Sequence, residues 1–236
     1  MTTSRSFQEE FPVTAFLLLF ILAFYALEFI ATTKAGGGDF DGNAGILRDV
    51  DGRALVRLGS LYSPLVAGGE YWRLISCTFL HGSLLHLFFN GLFLFDFGRV
   101  SEPLLSRWRF LTIYVVSGLG SSLTSYAILQ GNSVGASGAL CGLVGALLAY
   151  SIRNDRPEMR ESLRSVVIWL IFISFVLPRV DWAGHAGGFV VGLVFGWFTP
   201  EYTSSASAER WRYPGYVAVT VVGGCLIMAL RNHFLQ

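Results

Sequence analysis

The sequence predicts an all-α polytopic membrane protein, and three observations carry the prediction. Hydrophobic residues make up 53% of the 236 and charged residues only 14%, with 20 Phe, a balance outside the range of ordinary soluble domains. Near-chargeless stretches close to the ~20 residues that span a hydrocarbon core recur along the whole chain. Apart from one loop, about 34–74, little chain is left between them, so a single helical membrane domain is expected over 11–232, behind a tail of residues 1–10.

The segments follow in order. In the tail Arg5 is followed by Glu9 and Glu10, which is not the basic start of a cleaved signal peptide, so the first helix, Phe11–Thr33, is expected to stay. The long loop mixes charge with Leu55, Val56, Leu58, Leu61 and Tyr62, and part of it is expected to lie in the membrane interface as a short amphipathic element. Its Asp39-x-Asp41-Gly42-Asn43 run has the glycine and the terminal glutamate misplaced for a calcium loop and reads as solvated.

The second segment, Ile75–Gly98, carries His81, His86 and Asn90, and the third is Phe110–Leu129. The fourth, Ser133–Ile152, opens on Gly135-Ala136-Ser137-Gly138. The fifth, Ser165–Leu177, is short and ends at Pro178, so it either thins the bilayer or borrows neighbouring residues. With Trp169, Phe172 and Phe175 it is a candidate gate. The sixth, Trp182–Thr199, opens on Gly184-His185, and the seventh covers about 213–230. Cys77, Cys141 and Cys225 are odd in number and scattered in apolar surroundings, which argues for core residues and against a disulfide framework. Glu28, Asp96 and Glu102 read as cytoplasmic-end, interfacial or packing residues with no catalytic role.

Lys and Arg stay preferentially on the cytoplasmic side of a membrane. With the N-terminus inside, the inner pieces hold ten basic residues (Arg5, Arg99, Arg107, Arg109, Arg153, Arg156, Arg160, Arg164, Arg210, Arg212) and the outer pieces seven. Five of those seven, Lys34, Arg48, Arg53, Arg57 and Arg73, are in the long loop. An inside N-terminus and an outside C-terminus are expected. The second, fourth and sixth helices then run the same way, and their first halves share one membrane layer. The uncommon polar groups of the apolar segments are there: His81, His86 and Asn90, then Ser137, then His185. A net charge of +1 offers no basic surface for nucleic acid.

An ionisable residue inside a membrane segment is costly unless the protein uses or satisfies it. His86 and Asn90 are four apart and lie on one helix face. Gly135, Gly138, Gly142 and Gly145 in the fourth segment, and Gly184, Gly188, Gly192 and Gly196 in the sixth, would let those helices approach closely. Such an approach would bring the His185 imidazole to the Ser137 hydroxyl, the arrangement of a nucleophile and its base. No Asp or Glu is in an obvious position to orient His185, so a dyad is expected. The start of a helix at Ser137 supplies free N–H groups for a developing oxyanion, with His86 and Asn90 as further donors.

These residues resemble the rhomboid intramembrane serine proteases. The likeness rests on Trp72-Arg73, His81, His86-x-x-x-Asn90, Gly98 and Glu102, Gly135-x-Ser137-Gly138 and Gly184-His185-x-x-Gly188. It implies a rhomboid-like six-helix core plus a C-terminal seventh transmembrane helix, similar to the six-plus-one members. It also implies Ser137 as nucleophile, His185 as general base, and His86, Asn90 and the Ser137 amide as oxyanion hole. Trp72, Arg73, His81, Glu102, Gly135, Gly138, Gly184 and Gly188 would be supporting motif residues. The reaction implied is hydrolysis of a peptide bond in or near the transmembrane helix of a membrane-protein substrate, one destabilised near a small residue, with membrane lipid around it and no metal or cofactor. In two places the chain departs from the family pattern: Cys141 stands where an aromatic residue often stacks on the histidine, and Gly184 where alanine is common.

Two other readings compete. A catalytically inactive rhomboid-like protein that binds transmembrane helices typically lacks the serine or the histidine, and this chain has both. A proton-relaying transporter would be expected to carry carboxylates near mid-membrane, and the outer halves of these three helices have none. There is no H-E-x-x-H zinc motif and no pair of intramembrane aspartates. A compact chain of this kind suits the plasma (inner) membrane of a prokaryote, with the site opening to the outer face.

Overall fold

The computed structural model describes residues 6–34, 49–177, 180–199 and 210–235. Arg5, Arg48, Arg179 and the Asp39–Asn43 run lie outside the described residues. The described residues fold as a bundle of helices with one two-residue strand pair among them.

After a single turn, α1 (Phe7–Glu10), the first long helix α2 (Pro12–Lys34) begins with Pro at its first position, where a missing N–H costs nothing. Its remaining free N–H groups are met from a distance in sequence. Glu102 accepts from Val13 N (3.0 Å), Thr14 N (2.8 Å) and Thr14 Oγ1 (2.7 Å). A buried carboxylate at a helix N-terminus is favoured by the free N–H groups and by the helix dipole. Glu102 thus ties the start of α2 to α6.

The long loop contains α3 (Gly52–Leu58), an amphipathic element that buries Ala54, Leu55 and Leu58 and leaves Arg53 and Arg57 exposed. Asp51 caps it, and Gly59 closes it in the left-handed region at φ +104°. A Cβ at Gly59 would run into the Trp72 ring, so both backbone and contact demand glycine. Arg73 locks the loop: Nη1 donates to Val56 O (2.6 Å) and Ser60 O (3.2 Å), and Nε donates to Glu70 Oε2 (2.8 Å). After α4 (Ser63–Ala67), α5 (Arg73–Ser76) runs into a 3-10 turn at Cys77–Phe79.

Here the structure corrects the expectation of one straight second helix. The Arg73–Phe79 piece meets α6 (Leu84–Leu105) at 91°, so His81 stands in the break and not on the helix. The physical signal is Gly82-Ser83: Ser83 is an N-cap whose Oγ accepts from His86 N (3.2 Å), and it starts a new helix. Next come α7 (Arg107–Ile128), α8 (Ser137–Arg153), α9 (Pro157–Val176), α10 (Trp182–Trp197) and α11 (Arg212–Leu235). The expected short fifth segment is a 20-residue helix that begins with Pro157 and runs through charged residues from Glu158 to Arg164. The fourth helix begins at Ser137 and not at Ser133, because Asn132–Ser133 (β2) pairs antiparallel with Leu61–Tyr62 (β1).

By length and composition α2, α7 and α11 can each cross a membrane, and the bent pair taken together meets the same criterion as a broken span or a re-entrant loop. The other three helices are shorter in their apolar part. Their place is fixed by glycine: a Cβ at Gly188 or Gly192 of α10 would strike the carbonyl of Gly138 or Gly142 of α8, and one at Gly196 would strike the backbone of Ala146. Backbone-to-backbone contact of this kind is what small residues at intervals of four permit. Serines of α7 close the third side, with Ser117 and Ser121 against Gly142 and Gly138.

Candidate active site

Ser137 is the first residue of α8, and His185 lies in the first turn of α10. The glycine contact brings the two helix starts together, and His185 Nε2 stands 2.8 Å from Ser137 Oγ. Gly135, at φ +130°, is open on the side where a Cβ would meet the His86 ring and approach Ser137 Oγ. Glycine is thus required there by conformation and by space. Three of the predicted residues, Ser137, His185 and His86, surround one point. Asn90 lies one turn further along α6, buried, and its amide donates to the His86 carbonyl (2.9 Å).

The loop before the serine is held from three directions. Gly135 N donates to Cys77 O (3.0 Å), β2 pairs with β1, and Ser63 N donates to Gly131 O (3.2 Å). Asp181, the N-cap of α10, accepts from Gly184 N (2.7 Å) and from Ser133 Oγ (2.7 Å), tying the start of the histidine helix to the serine loop. Together these hold Ser137 and His185 in a fixed geometry without a covalent link. A small pocket opens beside the serine, lined by Thr78, Ser121, Ser122, Ser133 and Asp181 among others. Its lining is rich in hydroxyl groups and includes one carboxylate.

His81 and Cys141 are placed differently from the residues around the serine. His81 is buried in the bend, its backbone N donates to Glu28 Oε1 (3.0 Å), and its ring packs 5.1 Å from that of His86. Of the roles expected for Glu28, packing is the one it has: it is not at the opposite end, the one expected to be cytoplasmic, but at the same end of the bundle as the serine and histidine, where its carboxylate accepts from the bend. Cys141 is buried in α8, and a different residue meets the far side of the histidine. Ser174 of α9 stands 2.7 Å from His185 Nδ1, and its hydroxyl donates to Leu170 O (2.6 Å). Ser174 was missed from the sequence, although a lone hydroxyl in the stretch from Val166 to Leu177 was the available signal.

With this geometry in place, comparison with known proteins is direct. Residues 68–202 match the Rhomboid domain family model. The chain is 42% identical over 159 residues to RHOMBOID-like protein 5 of Arabidopsis thaliana, which covers 63% of this chain and 51% of that protein. It is 32% identical over 196 residues to rhomboid protease GluP of Bacillus subtilis, covering 81% of this chain and 36% of the relative. It is 34% identical over 152 residues to Rhomboid-like protease 1 of Toxoplasma gondii, covering 60% and 52%. The chain spans about half the length of these relatives or less. It belongs to the rhomboid family, and the fold expected from the sequence, an all-α multi-pass membrane bundle of rhomboid type, is the one it has. Membership makes it a rhomboid intramembrane protease or an inactive relative.

Proposed function

We propose that this chain is an active intramembrane serine protease that hydrolyses a peptide bond in or near the transmembrane helix of a membrane-protein substrate. The observation that carries the reading is the 2.8 Å contact between His185 Nε2 and Ser137 Oγ at the N-terminus of α8. In the proposed reaction His185 Nε2 takes the Ser137 hydroxyl proton as Oγ bonds to the scissile carbonyl carbon. The carbonyl oxygen gains the negative charge and meets the Ser137 N–H, the His86 ring and the Asn90 amide. His185 then returns the proton to the leaving nitrogen as the C–N bond breaks, leaving an acyl-serine. A water enters, gives a proton to His185 and attacks the ester, and Ser137 is restored.

The reading needs no metal or cofactor, and its partner is a membrane protein with a transmembrane segment locally weakened as a helix. The lipid-embedded bundle is proposed to lie with its N-terminus in the cytoplasm, residues 1–10 as the tail and 11–232 as the membrane domain, and the serine opening to the opposite face. The basic residues of the inner pieces support that orientation. The expected prokaryotic plasma membrane gains no support from the relatives, which come from Arabidopsis thaliana and Toxoplasma gondii as well as Bacillus subtilis.

The test is cleavage of a panel of single-span helices, with and without a central Gly or Pro, co-reconstituted in liposomes. New termini within or beside the span, absent with Ser137→Ala, are expected. An intact panel that is nevertheless retained by the purified protein would favour the helix-binding relative.

A further inference from the structure

We infer that Ser174 is the positioning residue of the dyad, holding His185 in the single tautomer that can accept the Ser137 proton. The inference rests on the protease reading above. Its warrant is a proton count. Ser174 Oγ lies 2.6 Å from Leu170 O and 2.7 Å from His185 Nδ1. A carbonyl only accepts, so the one hydroxyl proton lies between Oγ and Leu170 O. Toward Nδ1 the Ser174 oxygen can then offer only a lone pair, and Nδ1 must carry the N–H. A neutral imidazole has one N–H, so Nε2 is bare, and it is this bare nitrogen that stands 2.8 Å from Ser137 Oγ. The Ser137 proton points at it.

The other tautomer sets lone pair against lone pair at Ser174. It also aims an N–H at Ser137, which could then not give up its proton to that nitrogen. A hydroxyl is a weaker acceptor than a carboxylate, but it orients the ring without placing a charge in the apolar layer. The arrangement also answers what stands in for an aromatic partner where the chain has Cys141: the ring is gripped at its far nitrogen.

Ser174 belongs to α9, whereas the dyad is built on α8 and α10. The side of α9 bearing Ile168, Trp169, Ile171, Phe172 and Phe175 is exposed, while Ser174 is buried against His185. Any displacement of the last turn of α9 removes the acceptor from Nδ1–H. Proton transfer is therefore linked to the docking of α9, and the reaction proceeds with α9 seated.

The experiment reads the ring and the serine separately, on the full chain in detergent. Protein with ¹⁵N,¹³C-histidine, with the His185 signals identified by their loss in His185→Gln, is compared with Ser174→Ala and Ser174→Thr. The wild type is expected to show the Nδ1–H form. Ser174→Ala should show a mixture of both forms and fluorophosphonate labelling slower by about ten-fold, the worth of one hydrogen bond. Ser174→Thr keeps a hydroxyl that can bond the carbonyl four residues back and should restore both. An Nε2–H ring in the wild type, or a Ser174→Ala protein with an unchanged ring and unchanged labelling, overturns the inference. If the wild type is not labelled at all yet its ring still responds to Ser174→Ala, the protease reading fails while the hold of Ser174 on the ring stands.

Discussion

Ser137, His185 and His86 come from three helices separated by up to about a hundred residues, and elementary rules sufficed to foresee their meeting. Polar groups are costly in apolar segments, and glycines at intervals of four bring helices together. Glu102 makes a second case at this scale. Replacing it with alanine leaves Val13 N, Thr14 N and the Thr14 hydroxyl without their acceptor. A loss of about 1–3 kcal/mol is expected, the usual cost of stranding buried donors. It would be read as a lower thermal midpoint in detergent, with Gln recovering part of it. Ser174 and Asp181 were not foreseen, and for a physical reason. A serine in a membrane helix is most often packing, and an Asp just ahead of a helix most often a cap. Asp181 is indeed the cap, and only the fold reveals that its second oxygen reaches Ser133.

Among the elements, the glycine register between α8 and α10 sets the geometry of the site. Gly188→Val should force the two backbones apart, because its side chain would meet the carbonyl of Gly138, the residue next to Ser137. Overpacking of this kind costs about 1–3 kcal/mol, and here serine labelling should fall much further than stability does. Labelling that follows the thermal midpoint in proportion would contradict a site held by that contact. The bend between α5 and α6 shows the limit of hydropathy. Apolar residues on both sides of Gly82-Ser83 make one continuous window, and only the capping signal marks the corner.

In α3, burial raises the affinity of Asp51 for a proton, but N–H bonds from Ala54 and Arg53 and the nearby Arg53 charge outweigh it and hold the carboxyl below its usual range. A lowered folded-state value means the cap contributes stability above the ordinary carboxylate pKa, and the contribution is lost as pH falls through the lowered one. Hydrogen exchange of α3, corrected for intrinsic rate, should therefore lose protection in acid in the wild type. Asp51→Asn should lose that dependence.

For the whole molecule, the all-helical class and the lipid setting were legible because composition and segment length constrain them strongly, whereas the family was legible through its motif residues, from Trp72-Arg73 to Gly184-His185-x-x-Gly188. The β1–β2 pair was not legible, since two-residue strands leave no periodicity to read. The orientation is a prediction at this scale. Single cysteines at Arg57 and Arg156, introduced into a protein lacking Cys77, Cys141 and Cys225, should react with a membrane-impermeant maleimide from opposite sides of sealed vesicles. Reaction of both from one side would reject the topology.

The central claim is that Ser137 is activated by His185. Fluorophosphonate labelling of the folded protein, with the adduct located by mass spectrometry, tests it without knowledge of a substrate. The account predicts one adduct, on Ser137, lost in both Ser137→Ala and His185→Ala at unchanged helicity. An unlabelled wild type, or an adduct that persists in His185→Ala at the wild-type rate, would contradict it.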